Sequence, residues 1–474
     1  MNILAVTGKL AQEEVKEYVE NVYVVDIDVA AFITPSDLKD IDLSDYGLVF
    51  VPGLAKGDWK RLEEEKGVKI RLGPIHASDL KTVMENTQIE FSHTIPACKL
   101  LDISKAKENI AIVDNLQDSV FKIGNIRVGG NTRMKVVAEV VDATEITRDE
   151  LVSKLQYYER EGADIIDVGI PVEHSIDDVR RAVKTAVDHC NMPISIDTFA
   201  KKAVAIGVEA GADMVMSISD ENLDALSSVG DAVVVVVDED INNLLGLVEK
   251  VRQKTDRVIA DCLLQPQNIS GSLFRYRKFR ELDGETPVLM GVGNVTELSD
   301  ADSLGINATL AFIAEELNVN MLFTTEASLK TRGCVRELRT ASYMSKAAKM
   351  RNTPPKDLGV DLLSLKDKKA LRTRSPPQDH VQAFEGEFHR DPCGDFRIWT
   401  HNGKIVCRHD RLTVVGDDAK SISDTVVENK LISRLDHAAY LGRELKKAEI
   451  ALKLNKNYVQ DSELNFGIYS SNDL

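Results

Sequence analysis

The chain has no CxxC pair. Its six cysteines (Cys98, Cys190, Cys262, Cys334, Cys393, Cys407) are scattered along 474 residues. That excludes a paired-thiol redox motif and fits a reducing compartment, where thiols serve as small buried hydrophobes. No apolar run approaches the length of a membrane span. Met1 leads directly into Asn-Ile-Leu-Ala-Val without a basic region, so the start reads as a first strand rather than a signal peptide, and a cytoplasmic location is expected. Positive charge is in deficit, with 59 Lys and Arg against 76 Asp and Glu and a net charge of −17. Such a balance repels a phosphate backbone, so neither nucleic acid nor a membrane is an expected partner. The N-terminal glycines Gly8, Gly53 and Gly73 belong to no GxGxxG or Walker motif and read as tight turns of a structural or docking domain.

What is present is a rhythm. From Lys135 to about Lys349, strand-like and helix-like stretches alternate eight times. The strand-like runs are 135–141, 164–169, 193–197, 213–218, 231–237, 257–262, 287–291 and 318–324. Thr147 with Glu150 forms a capping-box signature for a helix over 147–161, Ser175 with Asp178 opens a helix over 175–190, and Gly211 ends a third that begins at Lys201. This is the pattern of a (β/α)₈ TIM barrel, whose chemistry sits at the C-terminal strand ends. A barrel uses roughly 200–250 residues, so 474 residues imply flanking domains. The expected fold class is α/β: a small N-terminal α/β domain over 1–128, the barrel over 129–350, a charged and proline-containing linker over 351–380, and a small C-terminal α+β domain over 381–474. In the first domain, 2–7, 22–29 and 46–51 read as strands. In the last, 389–410 reads as a hairpin around His401-Asn-Gly and 424–454 as one long amphipathic helix, with a polar tail of about 15 residues.

The predicted strand ends carry Glu139, Asp142, Asp167, Asp197, Ser217, Asp261 and Asn294. A mouth lined by carboxylates and amides suits a ligand rich in hydrogen-bond donors. Asp197 and Asp261 each end an apolar run, where an ionisable group is costly unless partnered or functional. Their alternative role is capping or a loop bond. A carboxylate there matches an edge presenting two adjacent N–H groups, as in an aminopyrimidinone, and would be left unpaired by other ligands. Asp167, inside Ile165-Ile-Asp-Val-Gly, serves either a ligand or a structural network. Glu139, Asp142 and Thr144 offer oxygens for Mg²⁺, with Asp142 as its ligand, or partners for a cation of the mouth. Gly291-Val-Gly-Asn294 and the loop carrying Lys330, Arg332 and Arg336 follow the last two strands, where barrels often bind phosphate.

The stretches Val137-Ala-Glu139-Val-Val-Asp142-Ala-Thr144, Gly162-Ala-Asp-Ile-Ile-Asp167-Val-Gly, Ser195-Ile-Asp197-Thr, Gly211-Ala-Asp-Met-Val-Met-Ser-Ile-Ser219, Ile259-Ala-Asp261 and Gly291-Val-Gly-Asn294-Val-Thr296 resemble the pterin-binding family. That family contains dihydropteroate synthases and pterin-dependent corrinoid methyltransferases, and the flanking domains resemble archaeal dihydropteroate synthase-related proteins. The resemblance implies that Asp197 and Asp261 hold a pterin's pyrimidine edge. It departs from the synthases at Met216, where they have asparagine, at Asn294, where they have lysine, and at Phe323-Thr-Thr325, where they have Arg-x-His. Asn294, Glu139 and Asp142 look more like the methyltransferases.

Three functions follow. The first is condensation of a dihydropterin-methyl diphosphate with an arylamine phosphate, as in folate or tetrahydromethanopterin biosynthesis. Here Lys330 and Arg332, with Mg²⁺ near Asp142, would stabilise the leaving charge. The second is methyl transfer from a methylated tetrahydropterin to a corrinoid or other acceptor, with Asn294 near the pterin N5. The third is pterin binding without catalysis. A homodimer stays open.

Overall fold

The computed structural model describes residues 2–363, 365–366, 379–384 and 386–467. It falls into two compact units, Met1–Leu365 and Lys366–Leu474. Residues 364 and 367–378 of the segment read as a linker, and the last seven residues, lie outside the described residues.

The first unit opens with four parallel strands, β1 (Ile3–Thr7), β2 (Asn21–Val24), β3 (Leu48–Val51) and β4 (Lys69–Leu72), in the order β2-β1-β3-β4. The strands are short and the two central ones are wholly buried, as a parallel sheet covered on both faces requires. Around it lie α1 (Gln12–Lys16), α2 (Trp59–Lys66), α3 (Leu80–Glu85) and α4 (Ala97–Asp114). The strand expected over 22–29 stops at Val24. Asp26 pairs with Lys9 in solvent, and the chain turns into a 3₁₀ segment at Ala30–Phe32.

A hairpin of β5 (Phe121–Ile123) and β6 (Ile126–Val128) precedes the barrel. Ile123 and Val128, both fully buried, pack among the inward-facing Val137, Ile165, Met214, Val233, Ile259, Leu289 and Met321. The hairpin therefore stoppers the lower end of the barrel.

The barrel strands are β7 (Lys135–Val140), β8 (Ile165–Gly169), β9 (Ile194–Asp197), β10 (Met214–Ile218), β11 (Val233–Val237), β12 (Val258–Asp261), β13 (Val288–Gly291) and β14 (Met321–Thr325). They close into a ring through parallel pairing of β14 with β7. Between and after them come α5 (Arg148–Glu161), α6 (Ile176–His189), α7 (Lys201–Ala210), α8 (Ile241–Arg252), α9 (Ile269–Leu282), α10 (Gly293–Glu297), α11 (Ser303–Glu316) and α12 (Cys334–Arg351). The expected caps are present: the Thr147–Glu150 box, Ser175 accepting from the Asp178 N–H, and Gly211 in the left-handed region at φ 112°. One helix-like stretch is replaced. Between β10 and β11 the short, serine- and asparagine-containing segment forms only a 3₁₀ helix, Leu223–Ser228, held by Asn222 bonds to Ser217 and Ser219.

The two ends of the barrel differ in electrostatics. Below, Arg133 donates to both oxygens of Asp164 at 2.6 and 2.8 Å, and Asp164 also accepts from the Val136 N–H. Arg133 lies over the Tyr343 ring of α12, 4.7 Å from its centroid, and the Tyr343 hydroxyl donates to Asp114 of α4. This fully partnered ion pair ties the ring to the helix leading in and the helix leading out. Removing one partner of a buried pair leaves an uncompensated charge. Asp164→Ala is therefore expected to destabilise the protein by roughly 3–5 kcal/mol, read from the urea midpoint of the full chain.

The second unit pairs β15 (Arg397–His401), β16 (Lys404–Arg408) and β17 (Thr413–Gly416) antiparallel. The hairpin turn has Asn402 at φ 48° and Gly403 at φ 74°, the positive-φ pair of a type I′ turn. The single helix expected over 424–454 is two, α13 (Ala419–Glu428) and α14 (Leu435–Lys453). Lys430 takes φ 51° and the Leu431 N–H returns to the Val426 carbonyl, a Schellman stop that buries Leu431. Leu435, expected on the apolar face, is 90% exposed because it starts the new helix. In the tail, Leu464 is packed into the core of this unit. Asp391 fixes the start of α14: its buried carboxylate accepts from the N–H groups of Cys393, Ser433 and Arg434 and from the Ser433 hydroxyl, with His437 Nδ1 at 3.2 Å. Burial alone would raise its pKa, but these bonds outweigh it and hold the group far below the usual carboxylate range. The stabilisation is present above the ordinary value of 3.8 and is lost as pH falls below it. Asp391→Ala is expected to lower stability by roughly 2–4 kcal/mol at neutral pH, with the difference shrinking in acid melts.

Candidate active site at the barrel mouth

Strand alternation builds the site. Val137, Ile165 and Ile259 point into the barrel core, so the residues two further on, Glu139, Asp167 and Asp261, point inward one layer higher. Ser195 and Asp197 repeat that spacing on β9. The register places Glu139 beside Asp167, Asp167 beside Ser195, and Thr325 beside Glu139. The carboxylate oxygens of Glu139, Asp167 and Asp197 lie within 4.8 Å of one another. Gly169 makes room for them, since a Cβ there would sit 2.6 Å from Glu139 Oε1.

Each acid is held differently. Asp167 is fully buried; one oxygen accepts from the Ser195 hydroxyl, and Oδ2 has no partner among the described residues. Burial, then the charges of Asp197 and Glu139, push its pKa well above the usual range. Asp197 is raised by burial, and a hydrogen bond from Ser217 offsets part of that. Burial pushes Glu139 up to about 7, helped by Asp197, Glu297 and Asp142. Asp261 accepts from the Leu263 N–H and the Tyr276 hydroxyl, both at 2.9 Å. Burial and Asp197 still lift it to about 6. The capping alternative for Asp197 is not used, because Thr198 accepts from the Ala200 N–H instead. Asp261 does make the loop bond, yet retains a second oxygen.

Ser217 reaches Asp197 through an irregularity. It sits at φ 60° where the β10–β11 register shifts between Val215 and Ile218. The bulge turns its side chain from the alternation that Met214 and Met216 follow. Asn294 lies exposed above Gly291 and donates to the Leu264 carbonyl at 3.1 Å, tying the loops after β12 and β13.

Other expected residues stand apart. Asp142 is exposed at φ 49° after β7 and is not one of the three clustered acids. Asp142, expected as a Mg²⁺ ligand, follows the end of β7 and stands beside the cluster as a charge that acts on Glu139, while Glu139, Asp167 and Asp197 are the three acids whose oxygens lie close enough to share a cation. No two-loop phosphate cradle forms around the acids. Lys330 is 3.8 Å from Asp300, Arg336 pairs with Glu161, and Arg332 opens onto a cleft beside α5. The amides of Val292, Val295 and Thr296 are used within their own turn.

Residues not singled out complete the mouth. Ser195 was legible as the inward neighbour of Asp197 by alternation. Tyr276, 15 residues past Asp261, arrives on α9 and carries no local signal. Thr325 has a buried hydroxyl without a partner among the described residues, as does Thr324. Phe199, after β9, is 65% exposed at the rim.

A closed parallel ring whose mouth converges carboxyls rather than cations defines the class: a TIM barrel with an acid-lined pocket. Comparison with known proteins places it further. Residues 390–461 match the family described as PterinBD-DUF4346. Over 98% of this chain and 99% of the other, the sequence is 37% identical to the uncharacterized protein MJ0107 of Methanocaldococcus jannaschii. The fold is similar to dihydropteroate synthase from Xanthomonas albilineans in complex with 7,8-dihydropteroate, at 20% identity over 46% of this chain and 94% of that one, with a TM-score of 0.39. It is also similar to 7,8-dihydropteroate synthase from Vibrio fischeri, at 14% identity over 49% and 98%, with a TM-score of 0.40. The chain belongs to the same family as the M. jannaschii protein, and its residues 390–461 carry the PterinBD-DUF4346 match. Among the described residues no helix is long and apolar enough to cross a membrane.

The raised pKa of Glu139 has a definite sign. The protonated form is favoured by the fold, so its stabilisation is full below the ordinary value of 4.5 and is lost as pH rises through about 7. Glu139→Gln is expected to stabilise the ligand-free protein by roughly 1–3 kcal/mol at pH 8 and by nearly nothing at pH 4.5, measured as paired thermal melts.

Proposed function

We propose that this chain is a pterin-dependent transferase that condenses a dihydropterin-methyl diphosphate with an arylamine, the arylamine entering as its phosphate. The observation that carries the pterin part is the convergence of Asp167, Asp197 and Asp261 in one mouth with unpartnered acceptor capacity. A pterin edge offers adjacent N–H donors, and gripping it would favour the ionised form of two carboxylates whose pKa values burial raises. Ligands without those donors would leave the acids repelling one another. Phe199 supplies an exposed aromatic ring at the rim against which a flat heterocycle can lie.

The condensation needs the leaving diphosphate balanced by positive charge. Lys330 and Arg332 stand on the loop after β14, on the rim side of the acids, and are the residues of this chain for that role. A divalent cation fits the hard oxygen donors of Glu139, Asp167 and Asp197, of which Asp167 Oδ2 has no partner among the described residues. Bound there it would supply positive charge opposite a leaving anion. The protein's own part is to fix the pterin plane with Asp197 and Asp261 and to hold Asp197 in place through Ser217, so that orientation lowers the barrier.

A second reading, methyl transfer from a methylated tetrahydropterin, draws support from two features. Glu139 and Asp261 have pKa values near neutrality, suited to giving a proton to the pterin nitrogen that loses its methyl. Asn294 is anchored beside the Asp261 loop. Neither chemistry is required for the pocket itself, so a binding role without turnover is the remaining outcome.

Calorimetric titration with a panel of pterins tests the common part. Asp197→Asn and Asp261→Asn should each weaken binding by about 100-fold. Because binding favours ionised acids, affinity should rise as pH increases through about 6, with proton release seen as a dependence on buffer ionisation heat. Equal affinity in wild type and both variants would reject the pocket. Diphosphate release on mixing both substrates separates condensation from methyl transfer, which instead predicts demethylation lost in Asn294→Ala.

A further inference from the structure

A cavity of about 150 Å³ opens at the end of the barrel away from the acids. The end of α4 contributes Asp114 to its wall, the stopper hairpin contributes Asn125 and Arg127, and the barrel contributes Arg133, Lys135 and Asp164. Lys135 is the first residue of β7. Alternation carries it inward with Val137 and Glu139, so one strand presents a carboxyl to the mouth and a cation to the opposite end.

Most of the charges in this wall are already matched. Arg133 and Asp164 hold one another, and Asp114 accepts from the Tyr343 hydroxyl at 2.7 Å. Lys135 is different. It is only 8% exposed, yet its ammonium makes no hydrogen bond and no ion pair among the described residues. Burial, then the charge of Arg133, lower its pKa to about 8; Asp164 and Asp114 act in the opposite sense, and Arg339 of α12 adds to the lowering. Arg127, half-buried on β6, likewise makes no side-chain hydrogen bond or ion pair among the described residues. A buried ammonium without acceptors is costly, and oxygens brought in by a ligand would remove that cost.

Size and lining narrow the ligand. The volume is below the roughly 300–1,000 Å³ of pockets for drug-sized molecules, so a small ion or headgroup fits. No aromatic ring lines the cavity, which gives a flat heterocycle nothing to stack on. The unmatched donors reach it from separate elements: an ammonium from β7, and a guanidinium and a carboxamide from the hairpin. A tetrahedral oxyanion offers acceptors in as many directions, whereas a carboxylate offers two oxygens in one plane.

We infer that this lower cavity binds a tetrahedral oxyanion, either free phosphate or the phosphoryl head of a small ester, held between Lys135 and Arg127 with Asn125 at the rim. The site is independent of the pterin reading, because no residue of the mouth takes part in it. Its occupant would join the stopper hairpin to the first barrel strand through charge, where apolar packing already joins them.

The test is calorimetric titration of the full chain with sulfate, inorganic phosphate, glycerol 3-phosphate and acetate. It is run in wild type and in a Lys330→Gln/Arg332→Gln background, which removes the cations of the mouth loop. Both proteins should bind sulfate and phosphate saturably at one shared site, and acetate more weakly. Added to that background, Arg127→Gln should weaken phosphate by about tenfold and Lys135→Met by at least as much, as loss of a charge-assisted contact would. Lys135→Met should melt no lower than its parent, because it removes a buried charge without a partner. Sulfate keeps its charge near neutral pH, so its affinity should fall as pH rises through about 8 and Lys135 loses its proton. Arginine and aspartate side chains ordinarily titrate far from that range, and Tyr343 is held above its usual value. Tighter binding of glycerol 3-phosphate than of phosphate would assign the ester, and the reverse the free ion. No saturable binding, binding undiminished by Lys135→Met, or an affinity for sulfate that does not fall with pH would overturn the proposal. Binding seen in wild type but lost in the Lys330→Gln/Arg332→Gln background would place the ion at the mouth and overturn it equally. None of these results bears on whether Asp197 and Asp261 bind a pterin.

Discussion

Four carboxyl groups share one barrel mouth, with Arg275 behind Asp261 offsetting only part of their charge, and the rest of the site depends on how that repulsion is carried. Water cannot screen them well at that depth, and like charges a few ångströms apart disfavour simultaneous ionisation. The fold answers by letting protons stay on. Burial and neighbouring acids raise Asp167 well above the carboxylate range, and Glu139 and Asp261 lie near neutrality. A pocket built this way is unsatisfied until something rich in donors, or positively charged, enters. Selectivity then arises from what the empty site lacks rather than from a shape alone.

The scaffold can bear this strain because a buried, fully hydrogen-bonded ion pair braces its other end. The Arg133–Asp164 pair, the backbone bond to Val136 and the Tyr343–Asp114 contact tie α4, β7 and α12 into one frame. Tension at the top and a braced ion pair below follow the usual division of a (β/α)₈ barrel, where stability sits at one face and chemistry at the other. The bulge at Ser217 belongs to the same logic. It spends ladder regularity on β10 to bring a hydroxyl to Asp197, which softens but does not remove the cost of burying that acid.

Much of this was legible along the chain. Runs such as Ile165-Ile-Asp-Val-Gly are apolar and buried throughout, with an acid among them, and strand alternation predicts which side chains face inward. Helix caps at Thr147 and Ser175 were equally local signals. What failed to show was non-local. The Tyr276 bond to Asp261 depends on the docking of α9, and the stopper hairpin at 121–128 depends on three-residue strands too short to advertise themselves. The basic residues after β14 were legible as charges but their neighbours were not: Lys330 stands 3.8 Å from Asp300, and Arg336 pairs with Glu161 on α5. The long C-terminal helix broke where a left-handed Lys430 and the distant Asp391 cooperate, and neither is visible in helical periodicity.

The hydrophobic stopper also makes the barrel a blind vessel. With Ile123 and Val128 sealing the lower opening, whatever Asp167 surrenders when a guest arrives cannot drain downward through the layer of valine, isoleucine and methionine. Traffic is forced upward past Glu139 and Asp197, the two neighbours whose oxygens adjoin it. Binding and deprotonation would then share a single doorway, and a tightly seated guest would itself regulate how fast the pocket exchanges hydrogen with the solvent.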